Sequence, residues 1–228
     1  MQARVLRWVL VTLGVVVLAA SVALSALKRP VLAEPIKSNS VNMALEPRHP
    51  VTDAMRRAAE AIPGQVAPEI DLPGSDGKNV RLSDLVAKGP VLVVTIKDGC
   101  PCSIEAQPFF NQLVKNYAGK ATLLGVTDSP RIKAEKYKID FDVQFPIVTE
   151  SGKKTFEAYH AMNSVYSTLV GRDGVVIKQY PGYSKAILTD MNKQLAQATG
   201  VAAKTLELAD APDRDSSGCP FFEEAPKS

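Results

Sequence analysis

The fold this sequence predicts is an α/β domain with a central mixed sheet between helices, and three observations predict it. Residues 91–96 are an apolar, β-branched run of buried-strand type, broken by Asp98-Gly99. An amphipathic helical stretch follows, then a second apolar strand over residues 121–126, so strand, helix and strand alternate. Residues 165–170 and 175–180 flank the turn Gly171-Arg172-Asp173-Gly174 as a hairpin.

The chain has 228 residues, enough for one domain of ordinary size with extra segments at its ends. A hydrophobic content of 46% supports a core of that size. The net charge of +3 is too small to indicate nucleic acid, and no basic run is interleaved with aromatics. Three cysteines are an odd count, which disfavours a scaffold with every cysteine paired.

Residues 8–27 are uncharged and almost wholly apolar, between Arg4 and Arg7 on one side and Lys28-Arg29 on the other. Such a stretch spans about 30 Å as a helix, the thickness of a bilayer core. Residues 1–29 are therefore expected to form an N-terminal transmembrane helix or, alternatively, a cleaved signal segment. Either way the globular part is expected outside the cytoplasm.

Residues 30–63 hold five prolines and few large apolar side chains, the composition of a linker. A short helix over 52–61, capped by Thr52 or Asp53, interrupts it, and His49 is expected to be a solvated loop histidine. The domain proper is expected over 64–200. It opens with short strands at 69–72 and 79–82, and Ser83 is placed to cap a helix over 84–87. A helix from Ser103 to about Tyr117 is bent by Pro108. A charged helix over 131–138, an extended piece over 145–148, a helix over 153–160 and a last helix ending at Gly200 complete the set. Residues 201–228 read as a flexible tail, ordered around Cys219-Pro220-Phe221-Phe222.

The chemistry sits at Cys100-Pro101-Cys102, between the first core strand and its helix. Unpaired N–H groups and the helix dipole at such a junction stabilise a thiolate, the reactive form of cysteine. This points to a thiol-redox site.

With Gly64, Ala67-Pro68, Asp76-Gly77, Leu82-Ser83-Asp84-Leu85, Gly89-Pro90, the cysteine site, Pro108 and Arg172-Asp173-Gly174 in that order, residues 64–200 resemble the thioredoxin-like redoxins. That group holds the alkyl hydroperoxide reductase/thiol-specific antioxidant proteins and the membrane-anchored thioredoxin-like proteins. The resemblance implies a thioredoxin-like fold and gives Cys100, eight residues before Pro108, the place of the nucleophile. The resolving position of the Cys-x-x-Cys pattern falls on Ser103, with Cys102 just before it. The proline of that group that precedes the strand near Ser167 is absent, and Val165-Tyr166 stand in its region. Taking Cys102 as a peroxidatic cysteine instead puts Thr95, Gly99 and Val165 where peroxiredoxins carry a proline, a threonine or serine, and an arginine. Cys102-Ser103-Ile104-Glu105 does echo the peroxiredoxin Cys-x-x-Glu.

The first reading is a membrane-anchored thiol-disulfide oxidoreductase acting on protein thiols or disulfides, with Cys100 attacking and Cys102 or Cys219 resolving. A bond between Cys100 and Cys102 closes a small, strained ring, whereas Cys219 sits on a long tail. The second is a peroxiredoxin-like thiol peroxidase in which Cys102 or Cys100 attacks a hydroperoxide and Cys219 resolves. The third is a Cu(I) or Zn carrier using the thiols with His160 or Cys219. Inert buried thiols are the fourth. Neither of the two enzymatic readings calls for a cofactor. Lys97 and Glu105 are expected to be solvated charges beside the site, and Tyr166 a core residue.

Overall fold

The structure is a computed structural model and describes residues 47–222. The expected transmembrane helix falls on residues 8–27, outside that range. Among the described residues no helix is long and apolar enough to cross a membrane.

A five-stranded mixed sheet organises the chain. In chain order the elements are α1 (Asp53–Glu60), β1 (Asp71–Pro73), β2 (Asn79–Arg81), α2 (Leu82–Val86), β3 (Val91–Ile96), α3 (Pro101–Asn116) and β4 (Thr122–Thr127). They continue with α4 (Arg131–Asp140), β5 (Ile147–Thr149), α5 (Lys154–Ala158), β6 (Ser167–Val170), β7 (Val176–Tyr180) and α6 (Lys185–Thr199). The sheet runs β5-β4-β3-β6-β7, and β1 pairs with β2 as a separate antiparallel ribbon. Strands β3, β4 and β5 are parallel, while β6 and β7 are antiparallel to their neighbours. This is the predicted mixed sheet.

Strand β3 lies at its centre and is buried along its whole length, because both of its faces meet side chains. Leu92, Val94 and Ile96 face a core with Phe110 and Leu113 of α3 and Leu188, Met191 and Leu195 of α6. Val91 and Val93 face the other core, with Leu124, Val126, Val148 and Phe156 of α5. The two-residue period of a strand thus splits one apolar run between two cores. Each fully buried aliphatic side chain, such as Leu124, contributes about 1.5–3 kcal/mol.

Several boundaries shift for local reasons. Helix α3 starts at Pro101, not Ser103, because a proline at the first helical position lacks an N–H that would have no helical partner. Ser83 does not cap α2 but lies inside it. The Glu69 carboxylate accepts the Ser83 N–H at 3.2 Å and serves that helix start from across the chain. Helix α5 stops at Ala158, and His160 lies exposed beyond it with a φ of 50°.

Both flanking segments pack where they are described. Within the expected linker, Thr52 caps α1 by accepting the Met55 N–H at 3.2 Å, and Val51, Ala59 and Ile62 are buried. Within the expected tail, Ala211, Ser216, Ser217 and Phe221 are buried as well.

Candidate functional site

The site forms where β3 gives way to α3. Gly99 takes a φ of 72°, a conformation that side chains disfavour, and this turns the chain sharply after the strand. Cys100 follows in extended conformation as the N-cap of α3, with Pro101 next. Its side chain makes no capping bond, so the sulfur is left to face the loop before β6.

Cys100 is 1% exposed, and its sulfur is surrounded by donors. The Ser164 hydroxyl donates to it at 3.3 Å and the Cys219 N–H at 3.1 Å. Chief among the causes that hold Cys100 well below the ordinary thiol value of 9.0 is the hydrogen bond from the Cys102 thiol. Burial opposes the shift, and the Cys219 thiol, the Ser164 hydroxyl and the Cys219 N–H add to it. Cys102 is pushed up, first by that same hydrogen bond and then by burial and the neighbouring negative sulfur. Cys219 is pushed up to about 11, mainly by burial and then by its bond to Cys100. These surroundings favour the thiolate at Cys100 and the protonated form at Cys102 and Cys219.

All three cysteines are unbridged in this state. Ser103, at the resolving position of the Cys-x-x-Cys pattern, uses its hydroxyl to accept the Lys97 N–H at 3.2 Å. Cys102 lies buried beside His49, whose Nδ1 is 3.7 Å from its sulfur.

The loop opposite the cysteines departs from ordinary backbone. Val165 takes a φ of 66°, rare for a β-branched residue and worth about 1–3 kcal/mol of strain. Two main-chain bonds hold it: Val165 N–H to Thr95 O at 2.8 Å, and Thr95 N–H to Tyr166 O at 2.9 Å. The Thr95 hydroxyl lies within bonding distance of Asn163 O at 3.1 Å and Tyr166 O at 3.3 Å. It ties β3 to that loop. Tyr166 is buried in the core, as expected.

The tail reaches the site by backbone pairing. Ser216 exchanges both main-chain bonds with Tyr183, at 2.8 and 2.9 Å. Ser217 donates to His49 O at 2.7 Å, and Ser164 donates to Cys219 O at 3.0 Å. Three residues expected to be solvated are held here. His49 is half-buried against Cys102, Lys97 donates to Pro220 O at 2.5 Å, and Glu105 accepts from Tyr183 Oη at 3.3 Å. Ser164 and Lys153 carried no signal in the sequence. His160 lies exposed, and among the described residues no group of three or more His, Cys, Asp or Glu is arranged to hold a metal ion.

The Ser164 hydroxyl gives a measurable expectation. Because the Cys100 pKa is depressed, its thiolate fraction is already complete near neutrality, and its iodoacetamide rate is expected to stay flat from about pH 5 to 8. An ordinary thiol gains about tenfold per pH unit over that range. Ser164→Ala removes one donor, so the decline on acidification is expected to begin at higher pH than in the parent. Coincident pH profiles would remove the hydroxyl from the account.

Comparison with known proteins agrees with this geometry. Residues 63–180, just over half of the chain, match the model of the AhpC/TSA family. The thiol-disulfide oxidoreductase ResA of Bacillus thuringiensis is 26% identical over 121 residues, covering 52% of this chain and 69% of that protein. Peroxiredoxin Bcp of Bacillus subtilis is 32% identical over 97 residues, covering 42% of this chain and 62% of its own. Among solved structures, a DsbE-type thiol:disulfide interchange protein from Chlorobium tepidum superposes with a TM-score of 0.56 at 25% identity. It covers 60% of this chain and 98% of its own. The fold is thioredoxin-like, the chain is an oxidoreductase, and it belongs to the AhpC/TSA family.

Proposed function

We propose that the protein carries out thiol–disulfide exchange on protein substrates, with Cys100 as the attacking thiolate and Cys219 as the resolving thiol. The observation that carries this reading is that the Cys219 N–H donates to the Cys100 sulfur at 3.1 Å, which seats Cys219 directly against it.

The Cys100 thiolate attacks one sulfur of a partner disulfide once the tail has moved aside. The partner's S–S bond breaks, a mixed disulfide forms, and the released partner thiolate takes a proton. Cys219 then gives up its proton and attacks the Cys100 sulfur. The Cys100–Cys219 bond forms, and the second partner thiolate leaves and is protonated. Two electrons pass to the partner, and the protein ends oxidised. The reverse sequence oxidises a partner dithiol.

Cys102 supports this cycle as a proton-bearing donor that keeps Cys100 ionised. The apolar character of residues 8–27 supports a membrane anchor with the domain outside the cytoplasm.

Mass mapping after oxidation with one equivalent of diamide tests the pairing. A peptide joining Cys100 to Cys219 is the expected product. A bond between Cys100 and Cys102, with Cys219 free, would transfer the resolving role.

A further inference from the structure

The contact between the tail and the loop before β6 is more elaborate than disulfide closure needs. Residues 218–221 run antiparallel to residues 162–164. Gly218 N–H donates to Ser164 O at 2.9 Å, Ser164 N–H to Cys219 O at 3.0 Å, and Phe221 N–H to Met162 O at 2.9 Å. The Asn163 side-chain amide adds a bond to Gly218 O at 2.7 Å. Such a ladder holds any extended chain, so selectivity has to come from the side-chain positions.

Each of those positions is shaped. At Gly218 a Cβ would lie 1.9 Å from Ser164 Oγ and 2.7 Å from Ser164 O, so only glycine fits. The next residue, Cys219, donates its main-chain N–H to the Cys100 sulfur at 3.1 Å. The residue after that is a proline and has no N–H to satisfy. Phe221 is 2% exposed and stacks on Phe156 with ring centroids 4.0 Å apart. Lys97 Nζ lies 5.6 Å from the Phe221 centroid. Lys153, left-handed at φ 60°, donates to Phe221 O at 2.6 Å and lies 5.6 Å from the Phe222 centroid. A thiol carried on a loose tether would need none of this.

We infer that the groove formed by residues 162–164, Phe156, Lys97 and Lys153 is a docking site for an extended, cysteine-bearing segment of a partner protein, of the pattern Gly-Cys-Pro-aromatic. In this state the chain's own residues 217–222 occupy the groove as a stand-in, and a partner reaches Cys100 by displacing them. The inference rests on the exchange reading and names the partner segment that exchange would act on. Tethering gives the tail an effective concentration of millimolar order, so the tail sets a threshold that a poorly matched segment does not cross.

The test uses the full chain carrying Cys100→Ser, which removes covalent capture. The probe is the fluorescein-labelled peptide Ser-Ser-Gly-Cys-Pro-Phe-Phe under reducing conditions, read by anisotropy. Two further changes each expel the tail and leave the groove intact: Phe221→Ala removes its anchor, and Gly218→Ala creates the clash with Ser164. Either is expected to tighten peptide binding at least about tenfold over the Cys100→Ser parent, because the competitor has left. A peptide with alanine in place of glycine is expected to bind at least about tenfold more weakly to the opened variants. Equal affinity for parent and opened variants, or for the two peptides, would overturn the inference. No redox step enters this measurement, so peptide binding by a protein whose parent form shows no exchange activity would sink the exchange reading and leave the docking site standing.

Discussion

Cys100→Ser is expected to abolish exchange. Insulin reduction with dithiothreitol as donor should fall by at least about 100-fold, to the uncatalysed background. A serine hydroxyl in that position stays protonated at neutral pH, and the donors assembled around the sulfur then face no anion. Cys102→Ser is the informative control. It keeps a hydroxyl donor toward Cys100, so its rate should remain within about tenfold of the parent. Loss in the Cys102 variant with retention in the Cys100 variant would invert the assignment and favour the peroxidase arrangement.

Cys219→Ser separates attack from resolution. The Cys100 thiolate keeps the Ser164 hydroxyl and the position-219 main-chain N–H as donors, so the first step survives. Treated with one equivalent of Ellman's reagent, the parent should finish with an internal disulfide, no adduct and two released thionitrobenzoates. The variant should retain one thionitrobenzoate on Cys100, visible by intact mass, and its insulin turnover should drop at least about tenfold. Normal turnover in this variant would mean that Cys102 resolves despite its raised pKa.

The parts of the molecule legible in the sequence are those where information is local. Residues 91–96 read as a core strand because every side chain but that of Thr95 is apolar, and Gly99 with Pro101 marked the turn and the helix start. Those same residues place the sulfur at a helix N-terminus, which made Cys100 recognisable. What the sequence concealed is assembled from afar. Ser164 meets Cys100 across 64 residues and the Cys219 N–H meets it across 119. Those meetings depend on main-chain pairing between irregular segments, which leaves no periodicity to read. His49 looked like a loop residue because it stands between Pro47 and Pro50 in a proline-rich stretch; its carbonyl is held by Ser217. The cap expected from Ser83 failed for the same reason, since the acceptor is the distant Glu69.

The strip of chain that covers the thiolate is the last part of the described protein to be synthesised. During translation the sheet and α3 have emerged before residues 216–222 do. For that interval the anion stands uncovered, open to whatever oxidant or stray cysteine diffuses past. A chain that has emerged only as far as α6 is thus more promiscuous than one in which residues 216–222 have followed, and their arrival is the step that closes the site.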